Sequence, residues 1–288
     1  MMIWKVGKKK SISLWKKRMI KYIVSDLDGT LIDTKNECDP SVIETLKRIK
    51  QMNIRFSLCS GRPIDSVRGM LEGWGLAPYT DDLIGCNGGE VLNLHTNERS
   101  ISYTLSKEVV KGIIQEYEAL GLIGTIYDRT ILYVSRNSKE VEKVAKRLGL
   151  EIIETNILNM IHGPVVKEMF VLDPELMEET EDYYQKHLSK NYIGYKTAHD
   201  LFEFTHPKLT KAVGVQMIAE TYGFKRDEII AFGDTTNDIP MFEYAKYGIC
   251  LENGSEDAKR SAYAIAPSIK EKGFSCFLEE HLQTSNLE

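Results

Sequence analysis

Short apolar runs alternate with stretches whose apolar residues recur three or four apart, in the first and last thirds of the chain. Tyr22-Ile23-Val24-Ser25 reads as a buried strand. Val42, Leu46 and Ile49 then keep helical spacing across Ser41 to Met52, and Pro40 before them suits a helix start. Ile54 to Leu58 predicts a second strand, Ile64 to Glu72 a second helix, and Leu83 to Cys86 a third strand. The alternation resumes with a helix over Lys211 to Tyr222, a strand Ile229 to Phe232, a helix Ile239 to Ala245 and a strand Gly248 to Leu251. Strand and helix in alternation imply a parallel sheet with helices on its faces, an α/β core.

The middle of the chain has another texture. Gly124 to Val134 suits two strands around an Asp128-Arg129 turn, with helical stretches near Ser106–Leu120, Ser138–Leu148 and Pro174–Leu188. This predicts an α+β insertion in the α/β core, entered at the flexible Asn87-Gly88-Gly89 and left near His206-Pro207. The expected organisation is a basic extension over 1–19, core over 20–87, insertion over 88–205, and core again over 206–288. Eight of the 14 tyrosines fall in the insertion. An apolar ring with a polar tip suits a ligand-facing surface, although ordinary packing is the plainer reading. There is no fixed-period repeat and no low-complexity segment.

Composition narrows the class. With 288 residues, 42% apolar and 27% charged, the chain has material for one large or two medium domains with real cores. No apolar run approaches the ~18 residues of a membrane span. The net charge of −5 gives no reason to expect nucleic acid as partner. That charge is uneven: residues 1–18 hold seven Lys or Arg and no acid, leaving 30 basic against 42 acidic residues, −12, for the rest. The segment lacks the ~7–15 apolar residues of a secretory signal, being broken by Lys16, Lys17 and Arg18. The plain reading is that Met19 starts the protein, because a core strand follows it at once. The rival is an arm for anionic surfaces. Five cysteines, odd in number and without a C-x-x-C pair, point to free thiols in a reducing cytoplasm.

The chemistry lies at strand ends. Asp26-Leu27-Asp28-Gly29-Thr30 follows the first strand, and in an open parallel sheet the carboxyl ends line the ligand crevice. Asp26 and Asp28 stand two apart, so extended backbone would aim both the same way. Acids so close need a cation or a shared proton. Gly233-Asp234-Thr235-Thr236-Asn237-Asp238 is a second acidic loop after another strand. Hard oxygen ligands from the two loops suit Mg²⁺, although Asn237 or Asp238 also fits as a plain helix cap. Ser60-Gly61-Arg62-Pro63 offers a hydroxyl and a backbone N–H at a helix start, a natural phosphate grip or a plain turn. Lys211 opens a helix, where its ammonium can neutralise both Asp26 and a phosphoryl oxygen, although a lone lysine at a helix start is more often a plain surface residue.

These four pieces in this order resemble the haloacid dehalogenase-like hydrolase superfamily, over nearly all of residues 20–288. D-x-D-G-T-L, S-G-R-P, the lysine and G-D-x-x-N-D-I-P-M all stand here. The long insertion resembles the type-IIB cap of the Cof-type phosphatases. The resemblance implies a Rossmann-like parallel core with an inserted α+β cap that closes over the site, excludes water and selects the leaving group. It implies Asp26 as nucleophile, Asp28 as general acid and base, and Lys211 as a catalytic cation. Thr30, Ser60, Gly61 and Lys211 would bind phosphate, and Asp26, Asp28, Asp234, Asn237 and Asp238 would hold or support Mg²⁺. The expected substrate is a small phosphorylated metabolite (a sugar phosphate, flavin mononucleotide, pyridoxal phosphate or a nucleotide), with no nucleic acid and no stable membrane association. A phosphomutase of the same fold and an inactive phosphate-binding relative are the alternatives. Two places depart from the family: Glu252-Asn253-Gly254 where G-N-A is usual, and Lys272-Gly273 where D-G is usual.

A chain beginning at Met19 is therefore expected to keep its melting temperature and its activity, since nothing in the motif set precedes Asp26. A fall of several degrees, or loss of liposome binding on truncation, would make the basic segment a working part of the protein.

Overall fold

The computed structural model describes residues 20–282, so the basic extension lies outside the described residues. These residues form two compact units: 20–61, 71–100 and 210–282 in the first, 62–70 and 101–209 in the second.

The first unit is built on an eight-stranded sheet. Its centre is β1 (Tyr22–Asp26), every residue of which is buried. On one side β1 pairs parallel with β2 (Arg55–Cys59), Asp26 opposite Cys59; on the other it pairs parallel with β12 (Ile229–Gly233), Ser25 opposite Phe232. Beyond β2 lies β3 (Asp82–Gly85), and beyond β12 lie β13 (Tyr247–Leu251) and β14 (Ala264–Ala266), all parallel. Strands buried on both faces read as continuous apolar runs, which is why this part of the pattern was legible. Val24 and Ala231 point into one core with Val215, Ile218, Met241 and Phe242 from α6 (Lys211–Tyr222) and α7 (Ile239–Tyr244). On the other face Phe56 and Phe232 meet Phe274 of α9 (Gly273–Leu282) edge to face. The helix α1 (Pro40–Gln51) starts where expected, with Pro40 in its first turn and the Asp39 carboxylate accepting from the Ser41 N–H at 2.8 Å.

The chain does not leave the first sheet at Gly88-Gly89. It turns back as β4 (Glu90–Asn93), antiparallel to β3, and β5 (Arg99–Ile101) follows as the edge strand. The short helix α2 (Ile64–Met70), by contrast, belongs to the second unit. Local pattern missed β4 because polar Glu90 and Asn93 leave only two apolar residues between them, and the ladder to β3 marks it as core.

The second unit carries a six-stranded sheet, ordered β10 (Ile193–Ala198), β11 (Leu201–Thr205), β9 (Lys167–Val171), β6 (Ile123–Asp128), β7 (Ile131–Val134) and β8 (Glu151–Glu154). β6 and β7 form the expected hairpin, with Arg129 left-handed in its turn. Ser106 and Ser138 cap α3 (Lys107–Glu118) and α4 (Lys139–Leu148); α5 (Met177–Lys186) follows β9, as α8 (Glu256–Ser261) stands between β13 and β14 in the first unit. Alternate residues of β9 serve opposite faces. Met169 and Val171 pack with α4, and Phe170 packs with Phe202, Phe204, Tyr117 and Tyr184. Tyr117, Tyr183, Tyr184 and Tyr192 make ring contacts inside this unit. For these the packing role prevails.

Glu168 shares that aromatic face. It is fully buried, and neither carboxyl oxygen accepts a hydrogen bond of good geometry. Burial, with Glu118 adding to it, pushes its carboxyl well above the usual range, against a backbone contribution from Thr125. A folded-state pKa above the unfolded value means stability is fully present below about pH 4.5 and is lost as pH rises toward the folded value. Glu168→Met is therefore expected to melt roughly 3–8 °C above wild type at pH 8, with a smaller gap at pH 5. Melting curves across that range check it, and a gap that does not change with pH would refute it.

Candidate active site

The central strands end together. Because β1 and β12 are parallel neighbours, their carboxyl ends set the loop after Asp26 beside the loop after Gly233. Asp26, Asp234 and Asp238 are buried, with one carboxylate oxygen from each within 4.8 Å of the others. Two glycines permit this approach. A Cβ at Gly29 (φ +82°) would lie 2.4 Å from Asp234 Oδ2, and one at Gly233 would lie 2.4 Å from Asp238 Cγ.

Lys211 enters from the first turn of α6 and is 1% exposed. Its ammonium donates to Asp26 Oδ1, and to Asp238 Oδ1 at 2.5 Å. The second oxygen of Asp238 accepts the N–H groups of Asp234 and Thr235 at 2.8 and 2.9 Å. Both Asp238 oxygens are thus engaged, and the residue holds the loop and the ammonium in place. Thr30, grouped by sequence with the phosphate grip, instead turns its hydroxyl to Asp234 Oδ1 at 3.2 Å. Asn237 donates through Nδ2 to Asn87 Oδ1 at 3.2 Å. Ser60 is buried at the end of β2; its N–H donates to the Ile84 carbonyl at 2.8 Å and its carbonyl accepts from the Asn87 N–H at 3.1 Å. That N–H is therefore spent on the fold. Gly61 lies against the Asn87 carboxamide.

Asp26 and Asp28 do not share an environment. β1 ends at Asp26, which is buried, whereas Asp28 lies in the following turn and is exposed. The pair divides into a buried carboxylate and one open to solvent. Asp28 still lies near enough to Asp234 to raise its pKa.

The electrostatics call for a cation. Burial raises the Asp26 carboxyl well above its usual range; Lys211 opposes this, and Asp238 and Asp234 reinforce it. Burial and Asp238 likewise push Asp234 up to about 6. Burial works against the Lys211 ammonium, but Asp238 and Asp26 outweigh it and hold its pKa above the ordinary lysine value. With all three carboxylates ionised, one ammonium would leave two negative charges unbalanced in a desolvated place, which is why the pKa values of Asp26 and Asp234 rise. Hard oxygen donors with excess negative charge fit a divalent cation such as Mg²⁺, with Asp26 and Asp234 the carboxylates least committed elsewhere.

Pattern reading missed one support. Asn253 donates through Nδ2 to the Gly29 carbonyl at 2.9 Å, and its Oδ1 accepts from Ile269 N–H at 2.8 Å. It ties the Asp26 loop to a distant segment, a link with no local signal beyond an Asn-Gly pair. The neighbouring departures are peripheral: Glu252 is exposed beside Lys259, and Lys272, left-handed at φ 60°, lies 3.6 Å from Asp39.

A family model for haloacid dehalogenase-like hydrolases matches residues 23–278. The Bacillus subtilis (strain 168) protein named "Putative phosphatase YxeH" is 26% identical over 281 residues, covering 91% of this chain and 98% of that one. The crystal structure of a haloacid dehalogenase-like hydrolase from Bacteroides thetaiotaomicron superposes with TM-score 0.83 at 28% identity, over 91% of this chain and 99% of the other. The subclass IIB sugar phosphatase BT4131 has the same fold, with TM-score 0.75 at 22% identity over 90% and 98% of the two chains. With one family model spanning almost every described residue, from β1 into α9, the chain belongs to the haloacid dehalogenase-like hydrolases.

Proposed function

We propose that this phosphatase hydrolyses phosphoric monoesters of small metabolites through an aspartyl-phosphate on Asp26, with Mg²⁺ as its metal. The observation that carries the reading is the buried group of Asp26, Asp234, Asp238 and Lys211, drawn from three separate segments into one place. A carboxylate held against an ammonium, on a strand end, is placed to attack phosphorus. Asp28, exposed in the next turn, gives its proton to the departing alcohol oxygen as the P–O bond breaks. It then takes a proton from water, whose oxygen attacks phosphorus and frees Asp26 and inorganic phosphate. Lys211 and the Ser60-Gly61 loop neutralise and orient the phosphoryl oxygens, and Asp238 and Asn237 keep the ammonium and the acidic loop in place. Asp26 and Asp234 would hold Mg²⁺, whose charge would offset the repulsion between carboxylate and phosphoryl group. The enzyme works in the cytoplasm, a reading supported by five cysteines that are all free thiols.

Purified protein is expected to release inorganic phosphate from at least one member of a panel of sugar phosphates, flavin mononucleotide, pyridoxal phosphate and nucleotides. Release should need Mg²⁺ and no bisphosphate activator, which separates hydrolysis from phosphomutase chemistry. Asp26→Asn should reduce it to background with the fold intact. Undiminished turnover in excess chelator, or in Asp26→Asn, would end this reading.

Asp28→Asn separates the two carboxylates. Loss of general acid help should slow alkyl phosphates by roughly 100- to 10,000-fold, and aryl phosphates much less, because a phenolate departs without a proton. Equal losses with both substrates in steady-state assays would exclude Asp28 as the acid.

A further inference from the structure

Residues 86–88 run through three left-handed conformations in succession, with φ of 50° at Cys86, 54° at Asn87 and 98° at Gly88. Side-chain-bearing residues avoid this region, and they remain there only when the surroundings hold them. The turn touches three segments around the site: the Ser60-Gly61 loop, the acidic loop at Asn237 and the start of α6. Its Asn87 N–H donates to the Ser60 carbonyl at 3.1 Å. The Asn87 carboxamide lies on Gly61, where an added Cβ would come within 3.3 Å of Oδ1 and 3.5 Å of Nδ2. The same Oδ1 accepts from Asn237 at 3.2 Å. Gly88 packs on the turn that opens α6, and a Cβ there would lie 2.2 Å from the Thr210 carbonyl oxygen, next to Lys211.

A backbone requirement alone does not explain an asparagine at 87, because glycine adopts the left-handed region with less strain. The side chain is buried and faces two active-site loops. We propose that Asn87 is a positioning residue, whose carboxamide holds Asn237 of the acidic loop against the Ser60-Gly61 loop and so keeps the metal-binding and phosphate-gripping segments in register. The inference rests on the phosphatase reading above. It assigns Asn87 no contact with substrate; its effect passes through Asn237 and Gly61. A residue in this relation to a metal site affects metal affinity or turnover by about 10- to 100-fold.

Asn87→Gly removes the carboxamide and leaves the left-handed backbone unstrained, so it is the informative variant. Asn87→Asp keeps an acceptor oxygen for Asn237. Three quantities are read for each: the melting temperature in chelator, the Mg²⁺ dissociation constant by calorimetry without substrate, and kcat and KM for an aryl phosphate. Asn87→Gly is expected to melt like wild type, to bind Mg²⁺ about tenfold more weakly, and to lose kcat by about tenfold or more with a smaller change in KM. Asn87→Asp is expected to restore most of the Mg²⁺ affinity. Wild-type Mg²⁺ affinity and kcat in Asn87→Gly would overturn the proposal, as would an activity loss that only follows a lowered melting temperature in both variants. A wild-type enzyme without Mg²⁺-dependent phosphate release would instead overturn the phosphatase reading, so the two failures are distinct in one set of assays.

Discussion

Lys211 is buried with its ammonium between Asp26 and Asp238, and most of the site is arranged around that contact. An isolated ammonium in the interior would lose its proton, and isolated carboxylates would gain one. Together they keep a charged cluster in a place that water does not reach freely. The partners come from β1, from α6 and from the loop after β12, so the contact fixes three segments relative to one another. Burial, with Asp238 beside it, pushes the Asp234 carboxyl up to about 6, and the group of hard oxygen donors suits a cation.

Parallel pairing makes the cluster possible. β2, β1 and β12 lie side by side and run the same way, so their following loops emerge at one edge. Close approach then depends on absent side chains: Gly29 admits Asp234, Gly233 admits Asp238, and Gly88 admits the turn before Lys211. At each position even a methyl group would occupy space that a carboxylate or a carbonyl oxygen already fills. The polar ties from Asn253 to Gly29 and from Asn87 to Asn237 join loops that share no strand pairing, and they set orientation beyond what the sheet provides.

The second unit follows a different economy. Its sheet is antiparallel except between β7 and β8, and one face is filled by rings from Tyr117, Phe170, Phe202 and Phe204. On the opposite face Lys167 and Glu203 form a buried pair at 2.7 Å, so each charge there has its partner. Glu168, one residue away and on the other face, has none. One strand thus carries a paired buried lysine and an unpaired buried glutamate, set apart only by the alternation of side chains.

The sequence by itself determined the α/β character of the first unit, the elements flanking the site and the identity of its main residues. Strands buried on both faces are continuous apolar runs, and D-x-D-G-T, S-G-R-P and G-D-x-x-N-D fall directly after them. Such signals are local, carried by a few consecutive residues. Tertiary structure decided what depends on distant partners. The strands β4 and β5 exist because of the ladder begun on β3, and Asp26 is buried while Asp28 is exposed because β1 ends between them. Thr30 turned to Asp234 and Asp238 closed by Lys211 are likewise results of packing, since each hydroxyl or carboxylate goes to whichever partner folding brings within reach. Asn87 shows the limit most plainly. In the chain it reads as half of an Asn-Gly turn, and only the folded arrangement places its carboxamide against Gly61 and Asn237, 26 and 150 positions away, because burial leaves a polar group to find its partners in space and not along the sequence.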